Sequence, residues 1–374
     1  MLKYIKPLMG LSWEQIKQKL ESEGAKNKQY DIDGDGLVEN IGFKSVAELP
    51  ATPKDYEIVL YRDAVRFYDP NKEKWASLWY LFGYDRFDSH GGGVWTKYIN
   101  IPITTSPSEY AQYIVVIDSN NVTVYSADGM QKVQGAVASD FWANVKSDGS
   151  DIRVFDQAKG QLYFWIDFFD YSNKKAVIWV KLEAGSSELN IAYGNPRATE
   201  SAYNNKAQVV EDVFTDPGFE TLDGWTYYEQ DESADGAYYE HPYTDWYTEG
   251  TASVYLCCAF SGAYTGTYYA RLKQSISPTF DIVVYFDVKT KTVTSDYGVV
   301  EVLVDDTQVW STTQADTELL DQKITISAGS HTVTFGTRVN SGSVTRYAIA
   351  AFDNIRVLKL ADPADFGTPQ IVEF

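Results

Sequence analysis

From residue 56 onward the apolar and polar positions alternate in short runs. YEIVLYRDAVRFYD (56–69) alternates on either side of Arg62-Asp63, a pattern that predicts a hairpin turning there. KWASLWYLFGYDRF (74–87) is aromatic-rich, and SHGGGV (89–94) interrupts the pattern with flexible residues. Beyond that break, β-branched and aromatic runs recur between clusters of Gly, Asn, Asp and Ser. They are TKYINIPI, YAQYIVVI, NVTVYS, AVIWVKLE and ELNIAYG, then SVYLCCAF, FDIVVYFDVKT, GVVEVLVDD, KITISAG, HTVTFGTRV and YAIAAFDNIRVLKL. Short strands at this spacing, with no long helical period, predict an all-β chain of tandem sandwiches or jelly rolls. No internal repeat of fixed period accompanies them.

One helix is expected, near the start, which makes that region a small α+β one. Ser12 can cap it, Gln15 completes a capping box, Trp13, Ile16 and Leu20 form a narrow apolar stripe, and Gly24 supplies the stop. A single narrow stripe docks on a body or a partner. Composition then divides the chain into residues 1–90, 91–205, 209–361 and a tail at 362–374. The polar stretch NPRATESAYNNKAQ (195–208) separates the two large units, and the tail is punctuated by Pro and Gly.

The bulk numbers narrow the classes of function. At 374 residues the chain is long enough for two or three domains, each with its own core. Acidic residues outnumber basic ones 52 to 32, for a net charge of -20, which repels a phosphate backbone; no nucleic-acid partner is expected. No apolar run reaches the roughly 18 residues of a membrane helix, so no membrane insertion is expected. The first residues, MLKYIKPLMGLSWEQ, lack the apolar stretch of a signal peptide, which argues for assembly from the cytoplasm if that Met is native. Cys257 and Cys258 are adjacent and point to opposite faces of any strand, so no disulfide framework is expected. His90, His241 and His331 are scattered and form no zinc pattern, and Asn121-Val122-Thr123 is a lone glycosylation sequon.

Residues 95–200 carry WTKYINIPI, VKSDGSDIRVFD (145–156), VIWVKLE (177–183) and YGNPRA (193–198) in that order. They resemble the domain-of-unknown-function family 2341, found in archaeal surface proteins and in viral structural proteins. That resemblance implies a lectin-like β-sandwich and no catalytic residue. Read by themselves, Asp148-Gly149 suits a turn, Asp151 and Arg153 share a strand face and could pair, Trp179 alternates with Ile178 and Val180, and Asn195-Pro196 ends a strand. Residues 211–360 are similar to jelly-roll carbohydrate-binding modules through DPGFETLDGW (216–225), AGSHTVTFG (328–336) and FDNIRV (352–357). This second resemblance implies a structural calcium clamped by Glu220 and Asp353, with Asp216 in place of the usual Asn.

Two further stretches carry chemistry. YDIDGDGLVENIG (30–42) begins like a calcium loop, with Asp31, Asp33, Asp35, the Leu37 carbonyl and Glu39 as oxygen donors; Gly42 stands where an EF-hand needs its bidentate Glu. A stapling Ca2+ is expected there in place of a calcium-triggered switch. TYYEQDESADGAYYEHPYTDWYTEG (226–250) sets aromatics among acids with no strand alternation. Pyranose rings need flat aromatics beside carboxylates, and Tyr239, Tyr243, Trp246 and Tyr247 with Asp231 and Asp245 would meet that need. The same aromatics could staple the loop to the sandwich or bury against another subunit. Carboxylates such as Asp167, Asp170, Glu229 and Glu232 are present, but no nucleophile elbow, phosphate loop or hydrolase His pair accompanies them, and no enzyme is expected. The expectation is a non-enzymatic attachment protein that presents glycan-binding domains on a virion or extracellular surface. Its partners would be a glycan or cell-surface receptor, neighbouring virion or surface-layer subunits, and further copies in a homo-oligomer.

Overall fold

The computed structural model describes strands at 44–46, 58–61, 64–69 and 74–77, then residues 87–89, 95–230, 236–260, 264–294, 297–342, 346–361 and 364–373. The expected helix at 12–24 and the acidic loop at 31–39 lie outside these described residues. The first sheet has the order β1 (Lys44–Val46), β2 (Ile58–Tyr61), β3 (Ala64–Asp69), β4 (Lys74–Ser77). Strands β2 and β3 pair antiparallel on either side of Arg62-Asp63, where the alternation placed a turn.

The chain divides into two compact units, residues 1–209 with 362–374, and residues 210–361. Both are built on antiparallel sheets, so the protein is all-β with tandem sandwiches. In the first unit the strands run β5 (Lys97–Thr105), β6 (Ala111–Ile117), β7 (Val122–Ser126), β8 (Gln131–Gly135), helix α1 (Ala138–Asn144), β9 (Arg153–Asp156) and β10 (Gly160–Gln161). They continue as β11 (Phe164–Asp170), β12 (Lys175–Leu182), β13 (Glu188–Tyr193) and the short helix α2 (Lys206–Val209). One sheet has the order β11-β12-β6-β7-β8. Its apolar positions alternate: Val115, Ile117, Val122, Val124, Ile178 and Val180 share one face and are fully buried. Trp179 lies on the opposite face, also buried, with its indole N–H donated to Asp167 Oδ2 at 3.1 Å.

The other sheet has the order β10-β9-β13-β5, and the tail completes it: β24 (Asp365–Phe366) and β25 (Gln370–Glu373) both pair with β5. Composition sets the tail apart, yet its apolar residues find an open ladder. Phe366 meets Tyr113 edge-on at 4.9 Å, and Val372 packs against the cluster of Phe87, Trp95, Tyr98 and Phe155.

The second unit is a ten-stranded sandwich. Its strands are β14 (Thr226–Gln230), β15 (Ala237–Tyr243), β16 (Ser253–Phe260), β17 (Tyr264–Ile276), β18 (Ile282–Val293), β19 (Gly298–Val304), β20 (Thr307–Thr312), β21 (Glu318–Ile326), β22 (His331–Gly342) and β23 (Arg346–Lys359). They form two sheets, β14-β17-β22-β19-β20 and β15-β16-β23-β18-β21. Strands β14 and β15 fall in the aromatic stretch 226–250, which shows no alternation because both of their faces carry Tyr. Between the sheets Phe335 touches four rings, Phe219 at 6.1 Å, Trp225 at 5.8 Å, Phe286 at 5.3 Å and Phe352 at 5.3 Å. Edge-to-face contacts of this kind add to the burial of the rings and hold the two sheets in one register. No helix among the described residues is long and apolar enough to cross a membrane.

Candidate functional site

The residues that could recognise a ligand gather on the outward face of the β15-β16-β23-β18-β21 sheet. Val254, Leu256 and Cys258 on β16, and Ala348, Ala350 and Phe352 on β23, belong to the interior. Strand alternation therefore turns Tyr255, Cys257 and Ala259, and Tyr347, Ile349 and Ala351, outward. The register lines these up across the sheet. Glu240 stands opposite Tyr255, then Ala351, Lys289 and Glu318; in the next row Tyr238 stands opposite Cys257 and Ile349.

Small residues thus floor a shallow strip whose sides are aromatic. Tyr255 lies 4.8 Å from Tyr243 and 6.3 Å from Tyr238 by ring centroids, and the Lys291 ammonium sits 5.9 Å from its ring. Trp246 folds back onto the same cluster and donates its indole N–H to Glu318 Oε1 at 2.6 Å. Tyr243, Trp246 and Tyr255 are 9%, 7% and 7% exposed, whereas Tyr238 and Tyr347 remain 47% and 37% exposed. The first three build the wall; the last two are open for stacking. Burial pushes the Tyr238 and Tyr255 phenols and the Cys257 thiol up, so all three stay protonated donors at neutral pH. Glu240 and Glu318 stand on opposite edge strands, four spacings or about 19 Å apart. That is well beyond the roughly 5–9.5 Å of a glycosidase carboxylate pair.

The expected ligand residues therefore divide. Tyr243 and Trp246 come together in this cluster. Tyr239 points the other way and packs on Tyr227 at 4.5 Å. Tyr247 and Asp245 are exposed on the loop beyond, and Asp231 lies outside the described residues. Tyr238, Tyr255 and Tyr347 were missed by reading the stretch alone. The signal for Tyr255 is present in SVYLCCAF, an unbroken apolar run where a sheet with one wet face would alternate.

Glu220 and Asp353 both hold the loop that follows Trp246. Asp353 Oδ2 accepts the backbone N–H groups of Thr248 at 2.6 Å and Glu249 at 2.9 Å. Glu220 accepts the Thr251 N–H at 2.9 Å, the Ala252 N–H at 3.3 Å and the Thr251 hydroxyl at 2.8 Å. Asp287, beside them, accepts from the Thr248 hydroxyl, Asn354, the Asp321 N–H and Arg356. Asp353 offers a cation one oxygen: its Oδ1 is buried without a hydrogen-bond partner among the described residues, and burial lifts its pKa to about 6, but a calcium ion would need several further oxygens beside it. Glu220 fits less well, since both its oxygens are engaged and its pKa is lowered by those hydrogen bonds against a desolvation that raises it. Among the described residues no three His, Cys, Asp or Glu converge on one point.

In the first unit the motif residues latch loops together. Asp151 and Arg153 do not bond to each other as their shared face suggested. Asp151 instead accepts the N–H groups of Lys146 at 3.0 Å, Gly194 at 2.7 Å and Asn195 at 3.2 Å, which ties SDGSDIR to YGNP. The fully buried Arg153 pairs with Asp88 at 3.0 Å and donates to the carbonyls of Ser150, Ile152, Asp88 and Thr199. Its guanidinium also lies 4.9 Å from the Trp95 ring centroid.

This is a tandem β-sandwich protein, and residues 148–246 match the family described as a domain of unknown function, DUF2341. The match begins at the Asp148 turn, crosses the boundary between the two units and ends at Trp246. No curated protein matches the chain. Among solved structures, the tandem CBM22-1-CBM22-2 domain of Paenibacillus barcinonensis Xyn10C is 9% identical, covers 85% of this chain and 90% of its own length, and gives a TM-score of 0.26. TmCBM61, solved with beta-1,4-galactotriose, is 14% identical over 39% of this chain and 97% of its own, with a TM-score of 0.24. The enzymatically active domain of bacteriophage CBA120 tailspike protein 4 is 15% identical with a TM-score of 0.25; the match covers 43% of this chain and only 22% of that domain. Likenesses at these scores carry no weight for function.

Proposed function

We propose that this is a non-enzymatic glycan-binding surface protein and that the outward face of the β15-β16-β23-β18-β21 sheet receives the saccharide. One observation carries the reading: Tyr238 and Tyr347 remain open beside the partly buried Ala259 and Ile349, next to the part of the floor, Cys257 and Ala351, that Tyr243 and Trp246 cover, and Glu240, Lys289 and Glu318 stand on the adjoining row. A sheet face meant only for water would carry polar side chains at those floor positions. Stacking on tyrosine with hydrogen bonds to flanking charged groups is the chemistry that suits a pyranose.

The setting we propose is attachment, as a virion spike, fibre or decoration protein, with an archaeal surface adhesin as the cellular counterpart. A net charge of -20 agrees with a solvated outer surface and with no nucleic-acid partner. A structural calcium held through Asp353 belongs to the same proposal; the ion would neutralise the buried carboxylate and steady the loop behind Trp246. The test is a glycan array followed by calorimetry on the hits. Tyr238→Ala and Tyr347→Ala should each weaken binding at least tenfold without lowering the melting temperature. A blank array, with the protein forming a defined oligomer that Tyr238→Ala dissociates, would replace this reading by one in which the same face meets a second copy.

A further inference from the structure

The opposite face of the same sandwich has a different chemistry. On the β14-β17-β22-β19-β20 sheet, Tyr268, Ala270, Leu272, Val333, Phe335 and Val339 point to the interior, so the residues between them point out. One row reads Tyr228, Arg271, Gly336, Glu301, Ser311 across five strands. Gly336 is the reason the row works. A Cβ there would come within 2.6 Å of Arg271 Cγ, so the glycine lets the arginine lie flat across β22 and reach Glu301. Arg338, from the neighbouring row, takes the other oxygen of Glu301 through Nε at 3.0 Å.

Two guanidiniums therefore share one carboxylate that is 1% exposed, and the cluster carries a net positive charge. Lys273 adds a further positive charge. The aromatics beneath hold these cations in place: the Arg271 guanidinium lies 4.3 Å from the Tyr269 ring centroid, and the Lys273 ammonium 4.6 Å from that of Tyr228. At the centre of this outward face Arg271, Lys273 and Arg338 thus stand against Glu301. In a chain of net charge -20 such a surplus runs against the average. A flat array of fixed cations suits an extended polyanion better than a single phosphate, which needs a concave cradle.

We propose that this face binds a carboxylate-bearing polysaccharide, of the polyuronate class, independently of the aromatic strip on the other sheet. Uronate carboxylates would pair with Lys273 and the Arg271–Arg338 couple, while hydroxyls reach Asn340 and Ser311. The probe is polygalacturonate, measured by calorimetry on the full chain against neutral galactan and against polyglutamate of matched charge density. Polygalacturonate is expected to bind at low salt and to weaken steeply as salt is added. Lys273→Glu and Arg338→Gln should each cost about tenfold, with the melting curve as a check that the chain is folded. Tyr238→Ala should leave polygalacturonate binding unchanged, which separates a failure here from a failure of the proposed neutral-glycan site. Absence of binding at low salt, or equal binding by wild type and Lys273→Glu, would overturn the proposal. Equal affinity for polyglutamate would overturn the saccharide assignment in favour of an acidic protein segment.

Discussion

Replacing Asp353 by asparagine isolates the electrostatic cost of the buried carboxylate behind the aromatic loop. In the wild type Oδ2 accepts two backbone N–H groups while Oδ1 is buried with no hydrogen-bond partner among the described residues, and the pKa rises from 3.8 to about 6. The folded state therefore binds more protons than the unfolded state between about pH 4 and pH 6. Stability contributed by protonated Asp353 is full below about pH 4 and is lost as pH rises through about 6. A shift of about two units corresponds to about 3 kcal/mol. The amide in Asp353→Asn can keep an oxygen toward Thr248 and Glu249, and it does not titrate. Urea unfolding followed by tryptophan fluorescence, in chelator, should show Asp353→Asn gaining on the wild type by about 3 kcal/mol between about pH 4 and pH 7. The burial of its amide adds an offset that does not vary with pH. Repeated in millimolar calcium, the wild type should recover most of the difference and the variant none, because an ion beside the carboxylate favours its charged form. A difference between the two proteins that stays constant across that pH range in chelator would refute the argument.

Other expectations follow from the packing. Phe335→Ala removes the ring that four aromatics meet, and should cost about 3–5 kcal/mol in the denaturation of the second unit. Arg153→Lys keeps the charge but cannot serve four carbonyls and Asp88 together; a loss of about 2–4 kcal/mol is expected by thermal denaturation. Gly336→Ala should displace Arg271 from Glu301, at a cost of about 1–3 kcal/mol, and weaken polygalacturonate binding along with it.

Much of the fold was legible because sandwich strands announce themselves by alternation. Val254, Leu256 and Cys258, or Val333 and Phe335, sit two apart in sequence and share the interior. Short pieces without periodicity were not legible: α1 covers seven residues, and the tail strands β24 and β25 have two and four. Such segments acquire structure from the ladder they join, which is a non-local fact. Parity was the other obstacle. In AYYEHPY the two tyrosines after the alanine are neighbours, yet Tyr238 faces the open strip and Tyr239 faces Tyr227. Only the pairing of Tyr238 with Cys257 decides which is which. The Asp151–Arg153 pair failed for a related reason: sharing a face makes a bond possible, but the backbone N–H groups of Gly194 and Asn195 claimed the carboxylate first.

The two faces of the second sandwich show where function separates from fold in such a chain. The inward positions obey one rule on both sheets, since each must fill the same interior with apolar side chains. The outward positions have no such constraint, and they differ. On one sheet the row through Tyr255 and Ala351 runs aromatic to small, with charges toward its ends. On the other, Arg271 and Glu301 meet over a glycine and the charge lies at the centre. Stability explains part of the first pattern, since Tyr255, Cys257 and Ala351 are buried under Tyr243 and Trp246, but not the open Tyr238 and Tyr347; on the other sheet, burying Glu301 costs desolvation that its two arginines must offset. Each outward face is better understood as a surface shaped for a ligand, the first by stacking and the second by charge. Because the same ten strands carry both, Tyr238→Ala and Lys273→Glu should be separable in one protein, each weakening one kind of binding about tenfold or more and leaving the other unchanged, while the melting temperature stays where it was.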